Sequence, residues 1–313
     1  MSSPRIGLLC GGPFAFQSIT ILALEKYLAG IAIGSSDMQT VGLLSSECER
    51  LGMPFLEIAS KNETGLLGDW IEKVNPDYIF CICFPYKIPA ELLRKKPERF
   101  INFHTGPLPA YRGPMPIFEV IRRGEKNSAI SVHLMEEGFD TGAVIYEETV
   151  PLDVGETFTS LAIKLSERTA ITVLNMAQML EFGTSIPRTD QDPSEANFYP
   201  YPTEKEITID WNSMQAESII SLINASYPWS GGAITGFDDE TIRITQVKPL
   251  PFPSTSPAEP GTVLRKTAEQ GLEISCLGGL SILALSFGSD RGNLGMEYLE
   301  SVGLETGKRF SSL

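Results

Sequence analysis

Asn102 and His104 stand two residues apart in the β-prone run Phe100-Ile101-Asn102-Phe103-His104, and Asp140 follows in a second, glycine-flanked segment, Gly138-Phe139-Asp140-Thr141-Gly142. Residues at i and i+2 of a strand share one face, so the amide and the imidazole point the same way. The chain then enters Gly106-Pro107-Leu108-Pro109, a loop composition suited to a strand end that opens onto a cleft. The carboxylate of Asp140 returns after another strand-like run. An amide, an imidazole and a carboxylate at one rim form a set that can donate hydrogen bonds and hold or move a proton.

The elements that must position this set alternate in the first half of the chain. Residues 6–10, 29–34, 54–58 and 77–84 read as short apolar strands, with helices over 14–27, 42–51 and 63–74 between them. A βαβαβαβ order with short punctuated loops predicts an α/β fold built on a doubly wound, mostly parallel sheet. After the Gly/Pro loop, a helix is expected over 117–124, strands over 129–135 and 143–150, and a long amphipathic helix over 157–182 that packs back across the sheet. Residues 183–204 are rich in Pro, Ser, Thr and Asp and suit a linker. Beyond them the rhythm changes to a strand over 206–210, a helix over 213–225 and short strands over 233–237, 241–248, 261–264, 272–276 and 281–285. That spacing predicts a small antiparallel, OB-like barrel. The expected plan is a catalytic domain over 1–183, a linker over 184–204 and a second domain over 205–313.

Composition narrows the function classes. The 313 residues are 42% hydrophobic and 20% charged, with a formal charge of −14. Nucleic-acid binding draws much of its affinity from basic groups that displace phosphate counterions, and the nearest approaches to a basic patch, Arg94-Lys95-Lys96 and Arg122-Arg123, each read as a solvated helix end or turn. No run of about 18 apolar residues suggests a membrane span, and no signal-peptide pattern precedes the first strand, so a cytoplasmic protein is expected. Five cysteines, Cys10, Cys48, Cys81, Cys83 and Cys276, are an odd number and are expected as reduced thiols. Cys81 and Cys83 are expected to share one face of a buried strand. Two histidines and no Cys-x-x-Cys or His-x-x-x-His spacing leave a metal site without support. Gly11-Gly12 follows the first strand, but Gly-x-Gly-x-x-Gly is absent and the second strand ends Gly34-Ser35-Ser36 without an acidic residue, which argues against a dinucleotide enzyme.

Asn102-x-His104 with Leu108-Pro109-x-Tyr111-Arg112-Gly113, followed by Phe139-Asp140-Thr141-Gly142, resembles the formyltransferases that use 10-formyltetrahydrofolate. The overall plan is closest to the methionyl-tRNA formyltransferases and their sugar-modifying relatives. The likeness continues through Gly12-Pro13-x-Ala15, Ile209-Asp210-Trp211, Tyr227-Pro228-Trp229 and Pro260-Gly261-Thr262-Val263-Leu264. It implies Asn102, His104 and Asp140 as catalytic residues. Formyl transfer to an amine passes through a tetrahedral carbon bearing an oxyanion, which calls for a donor aimed at that oxygen and a group to manage the amine's proton. Asn102 and His104 suit the oxyanion, while Asp140 would set the tautomer or protonation state of His104 and could accept the amine's proton. The resemblance also places folate against Phe84, Tyr86 and Ile88 and the loop of Gly138, Phe139, Thr141 and Gly142. The amine substrate is expected near Pro13, Phe14, Gly106, Pro107 and Arg112. For Arg112 two readings stand side by side, an anion contact and a brace for the loop. His133 reads as a hydrogen-bonded histidine of the sheet, and Trp211 and Trp229 as packing residues.

Three departures separate this chain from the tRNA-directed relatives. The stretch after the second strand, residues 34–41, is short and carries no Lys or Arg, where those relatives have a basic insertion. Their Ser-Leu-Leu-Pro loop is here Gly106-Pro107-Leu108-Pro109. Residues 205–313 hold 8 Lys and Arg against 13 Asp and Glu. The expected function is therefore N-formylation of a primary amine on a small metabolite: a nucleotide-linked amino sugar, or an amino acid or hydroxyamine, free or carrier-bound. Methionyl-tRNA formylation and a non-catalytic folate-binding role are the alternatives.

Overall fold

The computed structural model describes residues 3–35, 37–95, 98–250, 257–267, 271–289 and 292–312, so that Ser36 and Lys96, named above, lie outside it. The chain forms two compact units, one of Met1–Pro116, Asn127–Val150 and Ala162–Pro200, the other of Ile117–Lys126, Pro151–Leu161 and Tyr201–Leu313.

The first unit carries a seven-stranded sheet in the order β3-β2-β1-β4-β5-β6-β7. Its strands are β1 (Ile6–Cys10), β2 (Leu28–Ile33), β3 (Phe55–Glu57), β4 (Tyr78–Ile82), β5 (Phe100–His104), β6 (Asn127–Leu134) and β7 (Val144–Pro151). The first five pair in parallel, and β6 runs antiparallel to β5. β1 is buried at every position, as an apolar strand covered on both faces of a parallel sheet must be. Helices α1 (Phe16–Leu24), α2 (Met38–Arg50), α3 (Leu66–Val74) and α4 (Ala90–Lys95) fall between the parallel strands. Trp70, Leu67 and Val74 of α3 pack with Leu9, Ala32, Ile79 and Phe100 in one apolar cluster. The doubly wound, mostly parallel sheet expected from the alternating pattern is present. Its topology reverses between β1 and β4, where open α/β sheets place their ligands beyond the strand C-termini.

The short connection from β2 to α2 is closed by Asp37, whose carboxylate accepts from the Gln39 N–H at 3.1 Å as an N-cap. Gly42 lies inside α2, and a Cβ there would meet nothing within 4 Å. Gly42→Ala is expected to stabilise the protein by about 0.5–1 kcal/mol, read as a raised denaturation midpoint, because only the backbone entropy of glycine is lost.

Two expectations fail locally. Cys83 is exposed and has φ 53°, so it lies past the end of β4 and shares no strand face with buried Cys81. The β1–β4 pairing ends at Cys10 and Ile82, and the chain turns there beside Gly11, where a Cβ would sit 1.7 Å from the Cys83 carbonyl oxygen. Gly11 thus serves close backbone packing. Residues 206–210 are not a strand: Glu204–Ile207 is a 3₁₀ turn with a capping box between Thr203 and Glu206, and only Thr208 bridges to Ile234. Local hydrogen bonding by Thr and Glu outcompetes the ladder there.

In the second unit, α5 (Pro116–Arg122) and the start of α6 (Phe158–Glu181) join α7 (Ala216–Ser226) and an antiparallel sheet. Its strands are β8 (Ala233–Phe237), β9 (Glu240–Pro249), β10 (Val263–Lys266), β11 (Leu272–Ser275), β12 (Ser281–Ser289) and β13 (Gly292–Leu294), in the order β10-β11-β12-β9-β8 with β13 on β12. The C-terminal segment runs between the two open edges. Ser311 bridges Gly236 of β8, and Arg309 bridges Thr262 just before β10. This small sheet therefore closes on itself through residues after α8 (Met296–Ser301), a helix too short to leave a periodic signal in the sequence. Trp211 is buried, stacks on Phe310 at 6.0 Å and donates from Nε1 to Thr235 Oγ1 at 2.8 Å. Trp229 packs edge-on against Phe118 and Tyr201. No described helix is long and apolar enough to cross a membrane.

Candidate active site

Asn102 and His104 occupy the C-terminal end of β5, and the antiparallel neighbour β6 sets His133 opposite Asn102 and Ser131 opposite His104. Four polar residues thus stand on one face of two strands. Asp140 arrives from the loop between β6 and β7 with φ 55°, a left-handed backbone that is uncommon outside glycine. Its Oδ1 lies 3.7 Å from His104 Nδ1, 3.5 Å from His133 Nε2 and 3.5 Å from Asn102 Nδ2, while Oδ2 accepts from the Gly113 N–H at 2.9 Å.

Hydrogen-bond partners assign the tautomers. His104 Nε2 is 2.7 Å from the Tyr111 carbonyl oxygen, which can only accept, so Nε2 carries a proton. In the neutral ring Nδ1 then turns a lone pair toward Asp140, a position where a proton, once taken up, meets a carboxylate. The tautomer was expected to depend on Asp140, and it is set by the Tyr111 carbonyl instead. His133 Nδ1 is 2.9 Å from the Leu134 carbonyl oxygen, which leaves Nε2 to accept from Asn102 Nδ2 at 3.0 Å. One N–H of Asn102 is thereby committed. The other has only the long contact to Asp140 and is available to a ligand.

Burial lowers the His104 pKa below its ordinary 6.5, with Asp140 and the Tyr111 carbonyl opposing the shift. The neutral ring is favoured at neutral pH. For Asp140, burial works upward, but His104 and the Gly113 N–H outweigh it and hold the carboxyl well below the usual carboxylate range. The site therefore pairs a buried neutral base with a buried anion.

The two loops that flank these groups are shaped by contacts only glycine permits. A Cβ on Gly106 would lie 2.6 Å from Pro116 Cβ, one on Gly113 2.0 Å from the Tyr199 carbonyl oxygen, and one on Gly142 1.8 Å from the Leu134 carbonyl oxygen. Ser131 Oγ ties the first loop down, with contacts of 2.8 Å to the Gly106 carbonyl and 3.2 Å from the Leu108 N–H.

Beside the set lies a small cleft, partly open to solvent, lined by Asn102, His133 and Asp140 and by Phe84, Tyr86, Ile88, Gly138 and Phe139. Five of the seven residues expected to face folate line it. Thr141 and Gly142 do not; Thr141 packs under Gly138 and Gly142 under Leu134. The apolar and aromatic walls with exposed backbone suit the flat, amphipathic ring of a folate. Of the residues expected near the amine, Pro13 and Phe14 form a 3₁₀ turn after β1, and the Phe14 carbonyl accepts from Ser166. Gly106, Pro107 and Arg112 belong to the loop after β5. The Arg112 guanidinium makes two bonds to Gln191 Oε1, at 3.0 and 2.7 Å.

Sequence reasoning left His133 and Gln191 out of the set. The alternation Ser131-Val132-His133-Leu134, with polar side chains at i and i+2 as in Asn102 and His104, was the available signal for His133. Gln191 left none, because its partners come from two distant loops.

Residues 57–175 match the family model described as formyl transferase, and residues 203–291 match the formyl transferase C-terminal domain. The methionyl-tRNA formyltransferase of Chlorobium phaeovibrioides is 30% identical over 272 residues, covering 84% of this chain and 81% of the relative. That of Delftia acidovorans is 31% identical over 216 residues, covering 69% of this chain and 64% of the relative. Among solved structures, HypX from Aquifex aeolicus in complex with tetrahydrofolic acid superposes with a TM-score of 0.68 at 18% identity, over 96% of this chain and 47% of HypX. This chain thus spans about half the length of HypX and 64% of the Delftia relative. WlaRD, a sugar 3N-formyl transferase, superposes with a TM-score of 0.68 at 16% identity, over 91% of this chain and 98% of WlaRD. The chain belongs to the formyl transferase family, whose enzymes take their one-carbon unit from 10-formyltetrahydrofolate.

Proposed function

We propose that this protein moves the formyl group of 10-formyltetrahydrofolate to the primary amine of a small metabolite, an amino sugar linked to a nucleotide or an amino acid or hydroxyamine, with Asn102, His104 and Asp140 as its catalytic residues. The observation that carries the reading is the approach of Asp140 to both Asn102 and His104, with Asn102 and Asp140 at the wall of an aromatic cleft and His104 buried beside them. Bound there, 10-formyltetrahydrofolate supplies an activated formyl carbon. Asn102 donates its uncommitted N–H to the formyl oxygen, held in that orientation by His133 Nε2. His104 Nδ1 accepts the proton of the incoming amine, while Nε2 stays bonded to the Tyr111 carbonyl. Asp140 remains ionised and stabilises the imidazolium that results, which returns the proton to the folate nitrogen as its bond to the formyl carbon breaks and tetrahydrofolate leaves. Phe84, Tyr86, Ile88 and Phe139 hold the folate ring and exclude water.

Charge supports a small acceptor over tRNA. The connection between β2 and α2 carries no basic residue, the chain bears a formal −14, and residues 205–313 are net acidic. The second reading, methionyl-tRNA formylation, is favoured by the relatives that are 30% identical over most of their length. The deciding experiment follows tetrahydrofolate release from 10-formyltetrahydrofolate, offering charged methionyl-tRNA against amino-sugar nucleotides and free amino acids at two salt concentrations. Turnover confined to a small amine is expected. Saturable, salt-sensitive turnover with charged tRNA would replace this reading with the second.

Because the neutral His104 ring is the working form, kcat/KM is expected to fall on acidification with an apparent pKa below 6.5. Asp140 favours the imidazolium, so Asp140→Asn should move that limb to still lower pH in its residual activity. A limb at or above 6.5 would contradict the assignment. The same sign applies to stability: with a lowered folded-state pKa, His104 costs stability as pH falls from 6.5 toward that value. The contribution of Asp140, whose pKa is depressed, is lost only at much lower pH.

A further inference from the structure

We infer that Gln191 is a positioning residue that holds the Asp140 carboxylate against the His104 imidazole by clamping the loop of residues 138–142 to the loop of residues 109–113. The inference rests on the reading of His104 and Asp140 as a working pair. Gln191 Nε2 donates to the Asp140 carbonyl at 2.8 Å and to the Gly142 carbonyl at 2.7 Å. Its Oε1 accepts from Arg112 Nε at 3.0 Å and from Arg112 Nη2 at 2.7 Å. Carbonyl oxygens only accept and guanidinium N–H groups only donate, so the amide has one possible orientation, and both its donors and both its acceptor sites are filled.

The segment that carries Gln191 is itself sewn to the same two loops. Thr189 and Val144 exchange backbone bonds at 2.9 Å, the Arg112 N–H donates to the Asn197 carbonyl at 3.1 Å, and the Tyr199 N–H donates to the Arg112 carbonyl at 2.9 Å. Within the linker-like stretch 184–204, residues 189–199 thus run as a strap over the loops that bear the site. The strap matters because Asp140 needs outside support. Its backbone is left-handed at φ 55°, and the only backbone N–H on its carboxylate among the described contacts is that of Gly113. Gln191 fixes the main chain on both sides of Thr141, and Arg112 couples that grip to Gly113, which holds the carboxylate itself. A shift of about 1 Å at such a centre can cost 10²-fold in rate.

His104 and His133 are the only histidines in the chain, and Asp140 and His133 are the titratable groups acting on His104, so imidazole NMR reads the site directly. The ligand-free protein, labelled with ¹⁵N-histidine, is titrated as wild type, as Gln191→Leu, which removes all four bonds, and as Gln191→Glu, which keeps an acceptor for Arg112 but turns lone pairs toward the two carbonyls. With Asp140 released, the His104 pKa is expected to fall by about 0.5 unit or more in both variants. In turnover, kcat is expected to drop about 10–100-fold, with KM for 10-formyltetrahydrofolate within threefold of wild type. An unchanged or raised His104 pKa in the folded variants overturns the inference, as does a kcat within twofold of wild type. Failure of both variants to fold would make Gln191 a residue of stability alone and overturn it equally. Absence of turnover in the wild-type protein would instead count against the formyl-transfer reading, which the ligand-free titration does not require.

Discussion

His104→Ala and Asp140→Asn are each expected to lower kcat by about 10³-fold, within the 10²–10⁴ range typical of general acid–base groups, while the protein stays folded. The two substitutions act through one proton. His104→Ala removes the Nδ1 acceptor. Asp140→Asn keeps the shape of the side chain and an oxygen for the Gly113 N–H, but it removes the charge that stabilises a protonated ring. With its nitrogen in the Oδ1 position, the new amide can donate to His104 Nδ1, occupying the lone pair that the amine's proton needs. Asn102→Ala should cost about 10²–10³-fold by removing an N–H aimed at developing charge. Pairs of these changes should cost far less than the product of the single effects, because residues that act as one unit are not additive. Single-turnover kinetics with the best amine, alongside circular dichroism, would check this. Rates within tenfold of wild type for all three variants would remove them from the mechanism.

Gly142→Ala is expected to damage the enzyme nearly as much without touching a reacting group. A Cβ at this position would lie 1.8 Å from the Leu134 carbonyl oxygen, on backbone that cannot swing away, since the Leu134 N–H bonds the Ala143 carbonyl at 3.0 Å. The loop must move as a whole, and Asp140 and the Gly142 carbonyl held by Gln191 move with it. Overpacking of this kind costs about 1–3 kcal/mol, and the displaced carboxylate should lower kcat by about 10²-fold. Thermal denaturation and turnover measured together check both parts. Wild-type turnover in a variant of unchanged stability would mean the loop can reposition Asp140 independently of its glycine.

The sheet of the first unit was legible because its signals are local. Apolar runs of five or six residues between glycine and proline turns read as buried strands, and the helical spacing of Leu66, Leu67 and Ile71 places a helix between them, although Leu66 itself is exposed. Asn102 and His104 were legible for the same reason: a period of two is a property of the strand itself. Short elements without such a period, α4, α8 and β13, left no readable pattern. Residues 206–210 carried a strand-like pattern, yet Thr203 and Glu206 draw them into a turn through side-chain bonds.

What the sequence alone determined is the chemistry available to this protein: an amide and an imidazole on one strand face and a carboxylate in a glycine-bounded loop. Tertiary structure decided how that chemistry is wired. The antiparallel register of β6 on β5 brings His133 onto Asn102, the Tyr111 carbonyl chooses the His104 tautomer, and the strap delivers Gln191 to the backbone of Asp140. Each of these contacts joins residues far apart in the chain or groups on the backbone, which carry no side-chain signature. Their strength depends on burial that exists only once the sheet has formed.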